Sequence, residues 1–398
     1  MTRISTANTF DVGIATLQKR QGELNEAQQQ LTSGKRISRL SDDPVAAARA
    51  ERALSAQARA DADQRAIDAS RATVSQVEGA YGDATELLQQ ARELMVAAGN
   101  ASYGATERRG IAQQLAGIRA QLLKVANRSD GVGGYLFAGQ GSAAPPFVDA
   151  TGGVTYAATG GGAQTASSEP LPLTFDGGNA FLRARTGNGV FETAAATATG
   201  TAWIDAGSVT DPSQLTGLPY SVQFTVSGGA TTYSVLRNGG ATASTNVAYQ
   251  SGQAIQIDGM SFTVTGTPAN ADNFTITSST PTLSVFDTLD AAVTALNGNL
   301  GAGALAQTVA DGLRDIDAGA AQLGGARADA GAWLQRLDNV ENRVSGQKLL
   351  AQTEQSNAED LDMVHAISDF QLKQTGYDAA LKAYSTMQRM SLFDFLGS

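Results

Sequence analysis

Residues 10–31 read FDVGIATLQKRQGELNEAQQQL, and this stretch decides the fold. Phe10, Ile14, Leu17, Gln21, Leu24, Gln28 and Leu31 lie alternately four and three residues apart. That spacing is a heptad seam, the mark of a helix that wraps against another helix. The far end of the chain carries its counterpart in Met363, Ile367, Phe370, Gln374, Tyr377, Leu381 and Tyr384. Gln, Glu, Asp, Lys and Ala fill most of the positions between. Each apolar stripe is narrow, so neither helix buries its apolar side alone. The two ends are therefore expected to pack on each other or on neighbouring subunits. Gln21, Gln28 and Gln374 occupy seam positions, where polar groups weaken an isolated pair but fix register and partner number. That favours packing between subunits. The expected interface residues are Phe10, Ile14, Leu17, Leu24, Leu31, Met363, Ile367, Phe370, Tyr377, Leu381 and Tyr384. Both ends are expected to be largely disordered in a lone subunit and helical on assembly.

Outward from this stretch the chain alternates helices with turns. The first helix is expected to stop at Thr32-Ser33-Gly34, where Gly34 suits a left-handed cap. Ser41-Asp42-Asp43-Pro44 is a helix start, with Asp43 as cap and Pro44 at the first helical position. The helix that follows carries Ile67, Val74, Val77, Tyr81, Ala84, Leu88, Ala91 and Met95, and ends near Gly99-Asn100. A third helix begins near Thr106-Glu107. Asn127 to Gly141 is turn-rich, with Tyr135 to Gly139 read as a strand. After Pro145-Pro146, and as far as about Pro281, Thr, Gly, Ser and Ala dominate with period-two apolar alternation. Two hairpins stand out there, one turning at Ser227-Gly228-Gly229 and one at Asp258-Gly259. Helical spacing returns at Phe286, Leu289, Val293 and Leu296. A long helix is expected from about Leu305 to about Gln355, and a C-terminal helix from about Asn357 to Met390. Leu392, Phe393, Phe395 and Leu396 form an apolar tail. The fold class is α+β: a folded-back long-helix bundle or coiled coil formed by both termini, with an inserted β-rich domain. The expected domains are 1–40 plus 358–398, a terminal coiled coil; 41–142 plus 284–357, a helical bundle with a β-hairpin; and 143–283, an outer β-rich insertion.

Composition excludes several functions. The formal net charge of -10 argues against sequence-independent nucleic-acid binding, which needs clustered Lys and Arg. Without any Cys there are no disulfides, thiolate nucleophiles or Cys-based zinc sites. That absence also suits a chain that crosses compartments unfolded. No secretory signal and no apolar run long enough for a membrane span are visible. Asp42 and Asp43 have the makings of an acid/base pair, but Pro44 directly after them makes helix capping the better reading. His365 is the one histidine, beside the C-terminal seam rather than on it. It has no partners for a zinc site, and no nucleophile-elbow pattern accompanies it for a triad. Gly131-Val132-Gly133-Gly134 lacks the Lys-Ser or Lys-Thr of a phosphate loop and reads as turn glycines. The apolar tail from Met387 to Leu396 has no basic face, so burial in an assembly is favoured over membrane insertion. No catalytic, cofactor-binding or metal residue is expected.

Ser33-Gly34-Lys35-Arg36-Ile37 followed by Ser41-Asp42-Asp43-Pro44-Val45-Ala46-Ala47 resembles the N-terminal region of bacterial flagellins and hook-associated proteins. Pro44 after the paired Asp resembles the hook–filament junction members, where filament flagellins usually have Ala. Gly134-Tyr135-Leu136-Phe137-Ala138-Gly139, Pro146-Phe147 and Val154-Thr155-Tyr156 are similar to the same members, as is the C-terminal stretch from Ala366 to Leu396. Gly259 and Gly266 to Phe274 resemble β domains of hook-associated proteins. The resemblance covers both ends and the edges of the insertion. It implies a structural, non-enzymatic axial protein of the bacterial flagellum, exported without a cleaved signal through the type III apparatus. It implies a ring between the first junction protein, FlgK, and the flagellin filament. It also implies an export chaperone of the FlgN kind on the C-terminal helix. Filament flagellin is the alternative. An adhesin using the insertion is a third reading, disfavoured because the insertion's sequence shows no aromatic clusters and aromatic residues are only 6% overall.

Overall fold

The computed structural model describes residues 6–396 apart from 38, 40 and 142, and side chains from 11 to 386 with the same exceptions. The chain opens with three helices, α1 (Thr6–Ser33), α2 (Pro44–Ala98) and α3 (Ala105–Ala126). A hairpin of β1 (Phe147–Ala150) and β2 (Gly153–Tyr156) and a short helix α4 (Gly177–Leu182) follow. Ten strands come next: β3 (Phe191–Thr197), β4 (Trp203–Ile204), β5 (Ser208–Val209), β6 (Tyr220–Ser227) and β7 (Ala230–Arg237), then β8 (Gly240–Ala241), β9 (Val247–Ala248), β10 (Ala254–Ile257), β11 (Met260–Thr265) and β12 (Asn273–Ser278). The chain returns to helix in α5 (Val285–Asn297), α6 (Ala302–Glu359) and α7 (Met363–Leu396). The class is α+β, with helical ends and an antiparallel β region between them.

Two compact units divide the chain, residues 1–65 with 340–398, and residues 66–339. In the first, α1 packs on α7. The early turns of α2 run beside the late turns of α6, linked by Asp61–Lys348 at 2.6 Å and Gln57–Gln355 at 2.7 Å. Their buried line is almost all alanine, with Ala46, Ala53 and Ala60 on α2 and Ala351 and Ala358 on α6. Small side chains at a seven-residue repeat let two helix axes approach closely. The break between α6 and α7 falls at Asp360–Asp362, a few residues later than the sequence reading places it. No Gly or Pro marks it. The restart is set by Asp362, which caps α7: its Oδ1 accepts from the N–H groups of Val364 and His365.

In the second unit the same heptad carries larger side chains. Ile67, Val74, Tyr81, Leu88 and Met95 of α2 are buried, as are Ile316, Leu323, Ala330 and Leu337 of α6. Arg71–Asp338, Arg92–Asp317 and Glu78–Arg327 flank this antiparallel seam. α3 packs on α5. Arg119 of α3 grips both oxygens of Asp149 on β1 at 2.7 and 2.8 Å and Asp290 of α5 at 2.6 Å, which ties the hairpin to the bundle. That guanidinium holds the Asp149 carboxyl below the usual range.

Tyr135 to Gly139 is not the strand expected from its sequence. It forms consecutive turns with isolated bridges from Tyr135 to Ser129 and from Ala138 to Asp176. The reason lies in the core. Phe137 is fully buried, 5.0 Å from the Tyr81 ring and 5.3 Å from Phe181, and Gly177 passes so close that a Cβ there would lie 2.6 Å from Phe137 Cβ. An extended strand would alternate Leu136 and Phe137 to opposite faces; the turns bury both.

Residues 191–278 form the β insertion. One sheet runs β3-β12-β6-β7-β8, with β9 also on β7, and the other runs β10-β11-β4, with β5 also on β11. All pairings are antiparallel. The Asp258-Gly259 turn has positive φ at both residues, 44° and 77°, as a two-residue hairpin requires. Phe191, Val222, Phe224, Phe262, Val264, Phe274 and Ile276 fill the core. The insertion is held to α6 by Gln307, whose Oε1 accepts from Ile204 N at 2.9 Å while its Nε2 donates to Ile204 O. Arg314, paired with Asp311 and Asp315, also donates to Thr193 O at 3.1 Å.

Candidate assembly surface

The expected interface residues lie on α1 and α7, which run antiparallel. Tyr384 lies over Gly13 and Arg20 over Gly376, where added Cβ atoms would come within 3.4 and 2.5 Å. The seam is divided. Leu17, Leu24 and Leu31 are half-buried, as are Phe370, Tyr377 and Tyr384. Ile14, Gln21 and Gln28 face solvent, and so do Met363, Ile367, Gln374 and Leu381. The inner line of α7 is completed by Ala366, Lys373, Gly376 and Ala380, and that of α1 by Ala27, which is 4% exposed. The outer line stays open. Ile14 keeps 41% of its surface, Met363 and Ile367 46% each, and Leu381 45%. The side chains of Phe10 and of the apolar tail from Met387 onward lie outside those described.

The loop after α1 is zipped to the α6–α7 break. Gly34, with φ 67°, ends α1 and donates to Gln30 O, and its own carbonyl accepts from Leu361 N at 3.0 Å. Arg36 N donates to Glu359 O at 2.7 Å, and the Arg36 guanidinium reaches Ala358 O at 2.9 Å. Lys35 pairs with Glu359 at 2.7 Å, which raises the ammonium's pKa. Asp43 Oδ1 accepts from Val45 N and Ala46 N at the start of α2, and Pro44 opens that helix. The Ala46 bond, assisted by Arg36, lowers the Asp43 pKa. Asp42 instead accepts from Arg39 N at 2.7 Å. The Ser33-Gly34-Lys35-Arg36 motif thus joins the two chain ends. Composition gave no hint of this role, because the bonds are mostly to backbone.

His365 is exposed on α7. The 131–134 turn is built by Asp130, whose Oδ1 accepts from Val132 N and Gly134 N. Among the described residues no three acidic or histidine side chains gather as a metal site, and no helix is long and apolar enough to cross a membrane.

Residues 4–142 match the bacterial flagellin N-terminal helical region, and residues 313–396 the flagellin C-terminal helical region. Residues 193–278 match the D2-like domain of flagellar hook-associated protein 1. Flagellar hook-associated protein 3 of Escherichia coli is 25% identical over 408 residues, 98% of each chain. The Salmonella typhimurium protein of the same description is 39% identical over 153 residues, 38% of this chain and 48% of that one. The crystal structure of Xanthomonas campestris FlgL superimposes with TM-score 0.67 at 30% identity, covering 76% of this chain and 99% of that one. That of the flagellar junction protein FlgL from Legionella pneumophila gives 0.69 at 25% identity, covering 78% and 100%. With flagellin-type helices at both ends and these counterparts along its length, the chain belongs to the FlgL family of flagellar hook-associated proteins, hook-associated protein 3, within the bacterial flagellins.

Proposed function

We propose that the chain is a structural subunit that joins hook to filament, assembled as a ring between the first junction protein, FlgK, and flagellin. It reaches that place by type III export, escorted by a chaperone of the FlgN kind on its C-terminal helix. It acts by packing, not by catalysis, and works outside the cell. The assembly part is 1–40 with 358–398. Residues 41–142 with 284–357 form the shaft, and 143–283 the outer cover.

One observation carries this reading: half of each terminal heptad seam is used inside the subunit and the other half is left open. Ile14, Met363, Ile367 and Leu381 present apolar surface along one line of a two-helix pair. Such a line gains burial only from further helices. A tube of identical and related helical ends supplies them. Cells lacking the protein should make hooks without filaments and shed flagellin into the medium, and the wild-type chain should restore filaments. Intact filaments in the deletion strain would overturn the proposal.

A further inference from the structure

Eight arginines of the second unit are neutralised within the subunit. Arg71, Arg92, Arg119, Arg128, Arg237, Arg314, Arg327 and Arg336 each pair with an Asp or Glu. Arg108 and Arg109 carry no ion pair among the described residues but bond Tyr103 O and Ala105 O; Arg183 and Arg185 differ from all of these. Among the described residues neither has an ion-pair partner. Asp317, which lines the same cleft as Arg185, is taken by Arg92 at 2.7 Å. Arg183 ends α4 with φ -131° and ψ 35°, and the backbone that follows is bonded through Ala184 to Leu283 in both directions and through Thr186 N to Thr280 O. Ala184 and Thr186 are buried while Arg183 and Arg185 are exposed. Both guanidiniums therefore lie on the outer edge of this segment, two residues apart in the chain.

An unpaired acidic ridge lies elsewhere on the same unit. Glu86 and Glu93 of α2 are one heptad apart, about 10 Å along the helix, with Gln90 between them. Among the described residues neither has a basic partner. Gln90 and Glu93 border an open groove of about 490 Å³ between α2 and α3, lined also by Leu94, Gln114, Gly117 and Gln121. Nothing lies within 4 Å of the position a Gly117 Cβ would take, so the groove floor is clear.

We infer that the Arg183–Arg185 edge of one copy docks against the Glu86–Glu93 ridge and α2–α3 groove of the next. This rests on the ring reading above. The two surfaces differ, so the contact is head-to-tail, the kind that closes rings when the rotation permits. Their charges are opposite, and arginine's long planar fork suits both the glutamates of the ridge and the glutamines of the groove. Like charges at this contact would block it, so the pair fixes which face meets which.

The chain has no cysteine, so an engineered pair reports the contact cleanly. The double variant Glu93→Cys with Arg185→Cys is expressed in cells lacking their own copy, and their hook–filament joints are treated with a short bis-maleimide, because an Arg–Glu contact holds the backbones beyond the Cα separation of about 7 Å that a disulfide can bridge. The expected result is a ladder of covalent multimers, because a head-to-tail contact continues beyond the dimer. Joints that hold the variant at wild-type level yet yield only monomer, a band that stops at dimer, or a cross-link to another protein would overturn the contact. Independently, Arg183→Glu with Arg185→Glu should lower the amount of chain in joints roughly tenfold, as should Glu86→Arg with Glu93→Arg. Combining all four should restore it to within about twofold, while the free chains keep the wild-type far-UV spectrum. Reversals without effect would also overturn the contact. If the wild-type chain itself never enters joints, the ring reading fails and takes the contact with it.

Discussion

Replacing the outer line of the terminal helix pair with alanine should leave the lone subunit intact and disable the joint. Ile14, Ile367 and Leu381 are 41%, 46% and 45% exposed. Fully burying such a side chain is worth about 1.5–3 kcal/mol. The portion still open in the subunit is therefore worth about 0.6–1.4 kcal/mol per residue once neighbours cover it, and about 2–4 kcal/mol for the three. At 1.4 kcal/mol per factor of ten, Ile14→Ala with Ile367→Ala and Leu381→Ala should weaken incorporation about 30- to 700-fold. Alanine keeps or improves helix propensity, and exposed sites seldom change stability by more than about 0.5 kcal/mol each. The urea midpoint of the free chain should accordingly stay near wild type. Quantitative blotting of sheared joints gives the incorporation, and far-UV dichroism in urea gives the stability. Wild-type incorporation by the triple variant would refute the reasoning. So would a free chain destabilised by several kcal/mol, since those side chains would then be internal.

Asp272 in the insertion is fully buried and accepts from Thr199 N at 2.7 Å, Ala269 N at 2.8 Å, Gly200 N at 3.1 Å and Thr199 Oγ1 at 2.9 Å. Asp272→Asn should cost about 2–4 kcal/mol, read from Trp203 fluorescence in a Trp333→Phe background. Burial pushes the Asp272 pKa up, but the bonds from Thr199, Ala269 and Gly200 outweigh it and leave it lowered. Its stabilisation is complete above the unfolded carboxyl value of about 4 and is lost as pH falls through the lower folded value; the Asn variant should therefore lose less stability on acidification than wild type. Gly34→Ala, forcing a Cβ into a left-handed cap at φ 67°, should cost about 1 kcal/mol in a thermal melt and weaken the link to Leu361. Removing residues 1–33 and 360–398 should lower the free chain's helical dichroism by less than the share of helix removed, because α1 contributes little fully buried apolar surface to hold the pair. A proportionate fall would refute that.

The long helices were legible because heptads, an Asp-Pro start and a glycine stop are local signals. The hairpins at residues 227–229 and 258–259 were legible for the same reason. Strand β3, which includes Glu192-Thr193-Ala194-Ala195, was not, because its strand character comes from pairing with β12 and not from its own side chains. The Tyr135–Gly139 segment misled because its apolar run serves a turn that feeds Phe137 into a distant aromatic cluster. The terminal seam was visible as a stripe. Which half of it turns inward depends on close approaches at Gly13 and Gly376, which no spacing rule reveals.

The alanine line between α2 and α6 has a mechanical consequence. Where Ala46, Ala53 and Ala60 meet Ala351 and Ala358, each contact gives up only a methyl group when the helices part. A steady pull would peel this stretch apart with little resistance per turn, whereas the leucine and phenylalanine contacts of the second unit would resist.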